Sequence, residues 1–360
     1  GHRRAISSLA YDRNGSLLAS GSDDCEIVVW DITSEQGLYR LRGHRGVVTD
    51  LKFMYHLPTA TTTTNMNGNN DNLIIGPNDQ PKYLVSSSKD TFIKFWDLND
   101  QFCVDTIVGH RSEVWSFDIN ANETKMVTLS NTAEFKVWDI TKKDNKKQNE
   151  DSNSNNNNNN NNNDDDDDET ENIKMATLLS IVKRQGRERG MTIRYSNDGT
   201  LLGVQGAGKI LEIFRVRNEI EIEKKIARRK KRQREKNKNK DNNNMQSNEN
   251  VNKYVGTDEF ALATVVRSHS KLRSFAFSPT STAKSEGSGG KCDVLLLLQN
   301  NVIEQYNVDL SDRKLTKQGV ARNELSCTLE QHGHRSDIRA VAINKADDMV
   351  ASVGKKRLKI

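Results

Sequence analysis

Between Tyr83 and Trp115 the chain alternates short β-prone apolar runs with polar turns: YLVSSSKDTFIKFWDLNDQFCVDTIVGHRSEVW. Leu84, Phe92, Phe95, Phe102 and Val104 supply the apolar positions, and Ser86 to Asp90 is turn chemistry. The pattern predicts two strands, a tight turn, a third strand ending in Trp96-Asp97, then a fourth strand and a Gly-His pair. The same arrangement stands upstream, from Leu17 to His44. Trp30 lies 14 residues before His44 and Trp96 lies 14 before His110, while Asp24 and Asp90 each precede their Trp by six. A recurrence at fixed spacing decides the architecture before any single residue does.

Cut at the Gly-His pairs, the chain falls into six units. Unit one, about 1–42, carries His2, Ser20, Asp24 and Trp30. Unit two, 43–108, carries His44, Ser86, Asp90 and Trp96. Its His-to-Trp distance is 52 residues rather than 28, and the excess lies in Tyr55 to Pro81. That stretch is rich in Thr, Asn, Gly and Pro, the composition of a loop inserted between strands, where length costs little entropy. Unit three runs from Gly109 to Asp139 with His110, Thr128 and Trp138, but has Thr132 where the others have Asp. The run Lys142 to Asn172, with its Asn tract 153–163 and Asp164 to Asp168, cannot bury apolar surface and is expected to be disordered.

Unit four aligns without a gap on unit one: YSNDGTLLGVQGAGKILEIF (195–214) lies over YDRNGSLLASGSDDCEIVVW (11–30), with Phe214 at the Trp position. Unit five is weaker, with Arg273-Ser-Phe-Ala-Phe-Ser-Pro, a Gly/Ser loop and a strand ending in Tyr306. Unit six starts at Gly333-His334 and stops at Ile360, one residue before its expected aromatic. A chain that opens on a Gly-His pair and stops within a strand reads as an excerpt from a longer protein.

Within each clear unit the His, Ser, Asp and Trp are spaced to form one buried hydrogen-bonding set. A buried indole N–H needs a partner, a Ser hydroxyl in the neighbouring strand can accept it, a His can bond the Ser, and the turn Asp can fix the His tautomer. The same three polar residues could be read as a catalytic triad. Their recurrence in every clear unit, with the Ser in mid-strand rather than on an exposed elbow, argues for structure instead.

Composition adds limits. The net charge is +5, and hydrophobic residues make up 34%, diluted by Asn-rich segments, so the folded part is expected to be shorter than 360 residues. Cys25, Cys103, Cys292 and Cys327 lie far apart with no CxxC pair, which predicts unpaired thiols in a reducing compartment and no metal site. The longest apolar run, Val294 to Leu298, is far below the roughly 18 residues of a membrane span. Gly203 to Lys209 satisfies GxxxxGK, yet Ile210 and an alternating strand follow where a phosphate-binding loop needs a Ser/Thr and a helix. No cofactor, small-molecule substrate or catalytic residue is expected.

Gly-His, about 28 residues, Trp-Asp and the next Gly-His resemble the WD-repeat family. That resemblance implies an all-β propeller, about six of seven blades of a first ring and the start of a second. It also implies that one blade's outer strand comes from the preceding repeat. On that basis 1–325 is most of the first propeller, with insertions at 55–81, 142–172, 215–252 and 280–290. Residues 326–360 are then the first, truncated blade of a following propeller.

One segment is left over. NEIEIEKKIARRKKRQREKNKNK, 218–240, opens with Ile220, Ile222 and Ile226 and few breakers, which predicts a helix leaving the blade. Lys224, Lys225, Arg228, Arg229, Lys230, Lys231, Arg232 and Arg234 then fall within eleven residues, and Glu219, Glu221 and Glu223 all precede them. Two readings stand: a solvated loop with a nuclear-import signal, or a contact to RNA or ribonucleoprotein through phosphate neutralisation. Without aromatic interleaving, base stacking is not expected.

GLYRLRGHRG (37–46), SSKDTFIKFWDL (87–98), VGHRSEVW (108–115) and LEIFRV (211–216) resemble a narrower branch, the double-propeller WD-repeat proteins of the small-subunit processome. That resemblance implies a non-catalytic nucleolar scaffold, with other WD-repeat processome subunits, U3 small nucleolar RNA and pre-rRNA as partners, direct or indirect. The alternative is a generic nuclear propeller adaptor, such as a ubiquitin-ligase substrate receptor or a chromatin scaffold.

Overall fold

The computed structural model describes residues 1–55, 80–143, 174–238, 256–279, 281, 290–310, 322–330, 338–343, 350–354 and 358–359. Among the described residues, consecutive strands form six antiparallel sheets. The first is β1 (Ile6–Tyr11), β2 (Leu17–Ser22), β3 (Glu26–Asp31) and β4 (Gln36–Arg42); the second is β5 (Val48–Met54), β6 (Tyr83–Ser88), β7 (Phe92–Asp97) and β8 (Phe102–Val108). The third is β9 (Val114–Ile119), β10 (Lys125–Ser130), β11 (Glu134–Lys143) and β12 (Lys174–Lys183). The fourth is β13 (Gly190–Tyr195), β14 (Leu201–Gly206), β15 (Ile210–Val216) and β16 (Phe260–Arg267), with α1 (Glu219–Lys238) and α2 (Gly256–Glu259) between its last two strands. The fifth is β17 (Leu272–Phe277), β18 (Lys291–Leu298), β19 (Val302–Asp309) and β20 (Arg322–Glu330). A three-stranded sheet follows: β21 (Ile338–Ile343), β22 (Val350–Gly354) and β23 (Leu358–Lys359). This is the all-β blade architecture of a WD-repeat propeller.

Two register shifts recur and show that the weak units are built like the clear ones. The first strand of each sheet carries a bulge near its start, at Ile6/Ser8, Val48/Asp50, Gly190/Thr192, Leu272/Ser274 and Ile338/Ala340; in the third sheet Leu129 faces Ser116 and Ser130 faces Val114. A second shift falls at the terminal aromatic, Trp30, Trp96, Phe214 or Tyr306. Bulges sharpen the twist and re-aim the flanking side chains, so their placement is part of the repeat.

Several expectations shift. In the 83–115 stretch one strand, not two, precedes the turn; its partner β5 lies before the insertion, because Met54 pairs with Tyr83 across it. β6 runs through Ser88, so the turn is confined to Lys89–Thr91. Each sheet takes its strands from a single unit cut at the Gly-His pairs, not from the preceding one. β15 continues to Val216, paired with Phe260, past the strand end expected at Phe214. β20 stays paired to β19 through Glu330, so the division placed at 325/326 falls inside a strand. The Thr-rich insertion 56–79, the Asn and Asp tracts, 239–252, most of 280–290 and Gly333-His334 lie outside the described residues. All four cysteines are free.

The chain forms two compact units, 1–109 with 122–125 and 138–178, and 110–121 with 126–137 and 179–360. In the first, Ala19, Ile27, Val29 and Leu41 of one sheet pack on Val48, Leu51, Phe53, Leu84 and Trp96 of the next. In the second, Leu129, Phe135 and Val137 pack on Ile193, Leu202, Val204 and Phe214, and Leu211, Ile213 and Val266 pack on Phe275, Val294 and Leu296. Apolar faces of successive sheets therefore bury one another, which is how short strands with two apolar faces escape water.

Candidate functional site

The spaced polar residues meet as two closed sets. In the first sheet His2 Nε2 lies 2.8 Å from Ser20 Oγ, His2 Nδ1 lies 3.1 Å from Asp24 Oδ2, and Trp30 Nε1 donates to Ser20 Oγ at 2.7 Å. In the second, His44 Nε2 to Ser86 Oγ, His44 Nδ1 to Asp90 Oδ2 and Trp96 Nε1 to Ser86 Oγ are each 2.8 Å. Each Asp also caps its own turn, Asp24 accepting from the Glu26 N–H and Asp90 from the Phe92 N–H. The Ser oxygen of each set is already taken by the indole, and Ser86 is fully enclosed, so no substrate can reach it as it would a nucleophile.

Burial raises the Asp24 carboxyl, but the N–H groups of Arg3 and Glu26 and the His2 ring outweigh it and bring it to about 2. Burial likewise raises Asp90, and the His44 ring with the N–H groups of Arg45 and Phe92 brings it to about 2. Both carboxylates thus favour the folded state above the ordinary carboxylate range, and that contribution is lost as pH falls toward 2.

Unit three differs. His110 Nε2 lies 2.8 Å from Thr128 Oγ1, and Trp138 is buried. The Thr132 hydroxyl is engaged with Ser130 and the Glu134 carbonyl. Burial, assisted by Lys136, pushes His110 down to about 3. The unfolded chain therefore takes up a proton near pH 6.5 that the folded chain refuses until about 3, and stability falls with pH across that window. Against His110→Gln, the wild-type protein should lose about 1.4 kcal/mol per pH unit there. Urea titrations of both proteins between pH 7 and 4 check this, and parallel curves would refute it. His110→Ala should also cost less than His44→Ala, because the latter strands the nearly enclosed Asp90 carboxylate. The reverse order in denaturation midpoints would overturn that comparison.

The weak sheets hold a set that spacing did not reveal. Glu212 and Glu304 each stand two residues before the terminal aromatic, Phe214 or Tyr306, with their carboxylates buried. Glu212 Oε1 accepts the Gly186 N–H at 2.5 Å, and Arg184 Nε lies 3.8 Å from Glu212 Oε2. Glu304 bonds His269 Nδ1 at 2.7 Å and accepts the Tyr306 hydroxyl at 3.1 Å. The available signal was a lone carboxylate inside an apolar strand, Leu-Glu-Ile-Phe and Val-Ile-Glu-Gln-Tyr. In the GxxxxGK segment, Lys209 sits in a strand-to-strand turn and donates to the His269 carbonyl at 2.8 Å.

The basic segment is a helix. Asn218 caps it, its Oδ1 accepting the Glu221 N–H at 2.9 Å, and Glu219 and Glu221 stand in the first turn, where the helix dipole favours them. Ile222, Lys225, Ile226, Arg229 and Lys230 are buried or half-buried, whereas Lys224, Arg228, Lys231 and Arg232 are exposed. The positive field is partly neutralised from within. Arg229 Nη1 pairs with Asp258 Oδ2 of α2, Lys225 Nζ lies 3.7 Å from Asp258 Oδ1, and Arg215 Nη2 donates to Glu221 Oε1 at 2.6 Å. Burial pulls the Lys225 ammonium below its ordinary range. Of the eight candidate cations, four thus face water, Lys225 and Arg229 are held, Lys230 is half-buried, and the Arg234 side chain lies outside the described residues.

Comparison with known proteins agrees with the sheets. The chain matches the family "WD domain, G-beta repeat" over residues 1–31 and 36–97. It is 26% identical to U3 small nucleolar RNA-associated protein 12 of Saccharomyces cerevisiae over 381 residues, 98% of this chain and 35% of that protein. It is 29% identical to Transducin beta-like protein 3 of Rattus norvegicus over 139 residues, 39% of this chain and 15% of that one. Nuclear distribution protein PAC1 of Arthroderma otae is 29% identical over 144 residues, again 39% of this chain and 28% of its own length. The chain therefore spans about a third of the first of these relatives and less of the others. The chain thus carries WD repeats over residues 1–31 and 36–97, and its repeat spacing, recurring bulges and His-Ser-Asp-Trp sets resemble those of the WD-repeat family.

Proposed function

We propose that this chain is part of a non-catalytic scaffold in small-subunit ribosome assembly, associated with U3 small nucleolar RNA and needed for 18S pre-rRNA processing in the nucleolus. The supporting observation is similarity along 98% of its length to a protein named for U3 small nucleolar RNA. The two relatives aligned over 39% of the chain lack that breadth. The quoted stretches also resemble WD repeat-containing protein 3, a double-propeller processome component. Blades supply rigid surfaces for other WD-repeat subunits, and α1 supplies cations for RNA. On the same analogy the strands from Ile338 onward open a second propeller.

Crosslinking RNA to the protein in cells and mapping the adducts tests this reading. U3 and the 18S precursor should be recovered, and depletion should lower mature 18S rRNA. Recovery of a cullin or histone complex without pre-rRNA would favour the adaptor reading. A foreign nuclear signal fused to a variant lacking the exposed α1 cations separates import from contact: full rescue of particle association would reduce α1 to an import signal.

A further inference from the structure

We infer that α1 is a pinned strut, held by Asp258 on one face and laying the neighbouring, exposed face along the phosphate backbone of double-stranded RNA. The inference rests on the ribosome-assembly reading above. It goes further by naming which cations make contact, which do not, and which form of RNA they take.

The pinning is built from α2 outward. The Gly256 N–H donates to Ser180 Oγ of β12 at 2.8 Å, and a Cβ at Gly256 would meet Val182 Cγ2 at 2.5 Å, so α2 is seated directly on that strand. Arg217 Nη1 donates to the Asp258 carbonyl at 2.8 Å and to the Thr257 carbonyl at 3.3 Å, and Lys225 Nζ also donates to the latter. The Asp258 carboxylate, nearly enclosed, takes Arg229 and Lys225 from one face of α1. Those two cations therefore already have an anion, and a phosphate would have to displace a buried carboxylate to reach them.

The neighbouring face, about a quarter turn round the helix, is of another kind. Lys224, Arg228, Lys231 and Arg232 recur at i, i+4, i+7 and i+8, one stripe of a helix, and all are exposed. The stripe is about 12 Å long at 1.5 Å per residue. A duplex presents roughly one negative charge per 1.7 Å of axis, so a straight row of this length meets several phosphates without the partner having to bend. Single strands are gripped by aromatic stacking platforms, and α1 has no aromatic residue anywhere in its length. Phosphate neutralisation on a stiff backbone is the chemistry left.

The test uses the purified full chain and fluorescence-labelled RNA, a duplex of about 16 base pairs and one of its single strands, titrated over a salt series. The wild-type protein should prefer the duplex. The fourfold variant K224Q/R228Q/K231Q/R232Q should keep its thermal unfolding, lose at least tenfold in duplex affinity and flatten the log-affinity against log-salt slope by up to about 3.6, at about 0.9 per contact. The pair K225M/R229M should leave the slope at the wild-type value, because those cations do not touch RNA. D258N should steepen it by up to about 1.8, because it frees both cations, and should narrow the preference for duplex. Unchanged duplex binding by the fourfold variant, a flatter slope for K225M/R229M, or stronger binding to the single strand overturns the inference. So does better competition by polyglutamate than by duplex, which would indicate an acidic protein partner. Failure of the parent reading looks different: duplex binding behaves as stated, but cells yield no pre-rRNA crosslinks.

Discussion

Trp96→Ala is expected to cost about 3–5 kcal/mol of unfolding free energy, the range for truncating a buried aromatic. Trp96 is 1% exposed and packs between the first and second sheets among Leu41, Leu51, Phe53 and Leu84. Its ring approaches His44 edge-on, with centroids 6.0 Å apart, and its N–H closes the Ser86–His44–Asp90 set. Gly43, at φ 154, lies against the far edge of the ring, where even a Cβ would come within 3.2 Å. The lost indole thus leaves a cavity that backbone on one side and two sheets on the other cannot readily fill. Asp90→Ala should cost less, roughly 1–3 kcal/mol, since it removes the carboxylate that His44, the Arg45 N–H and the Phe92 N–H share but little volume. Trp30→Ala should also fall below Trp96→Ala, because Trp30 is only half-buried. Urea unfolding of the three variants checks the order, and near-zero losses for both Trp96 and Asp90 would remove the set from the core.

Glu212→Ala is expected to be as severe, about 3–5 kcal/mol, because removing one partner of a buried ion pair leaves the other uncompensated. Arg184 has a side chain 2% exposed, and Glu212 is fully enclosed. The same substitution strips the Gly186 N–H of its acceptor. Burial already pulls the Arg184 guanidinium below its ordinary value despite Glu212 and Glu188, so it has little tolerance for losing a counter-charge. The double change Arg184→Met with Glu212→Leu should recover most of the loss, since apolar residues of similar volume commonly match a buried pair. Losses that simply add in the double variant would show that the two residues act independently.

These two experiments probe the same position in the fold, read with different ease from the sequence. The His2–Trp30 and His44–Trp96 sets were legible because every member is polar or aromatic in a strand otherwise apolar, and because each set closes within one unit. Even the 24 extra residues between His44 and Trp96 did not hide it. Sheets four and five kept the bulges and the terminal aromatic but moved the carboxylate from the turn to the third strand. Gly208 stands where Asp24 stands in the ungapped alignment, and Glu212 lies opposite Val204. No spacing rule taken from the clear units points to that exchange.

The sequence by itself determined the all-β repeat, the place of each terminal aromatic and the helix between two strands of the fourth sheet. Hydrogen-bond sets that close within a unit and apolar alternation along a strand are local properties, and local patterns survive in one dimension. Only the tertiary structure decided which cations of α1 are free. Lys225 and Arg229 read the same as Lys224 and Arg228 along the chain, yet Asp258, 29 residues beyond Arg229, takes the first pair and leaves the second to solvent. Coulomb energy depends on distance in space, and burial removes the water that would otherwise screen it. A charge run therefore announces a field in the sequence, but only the folded chain decides where that field points.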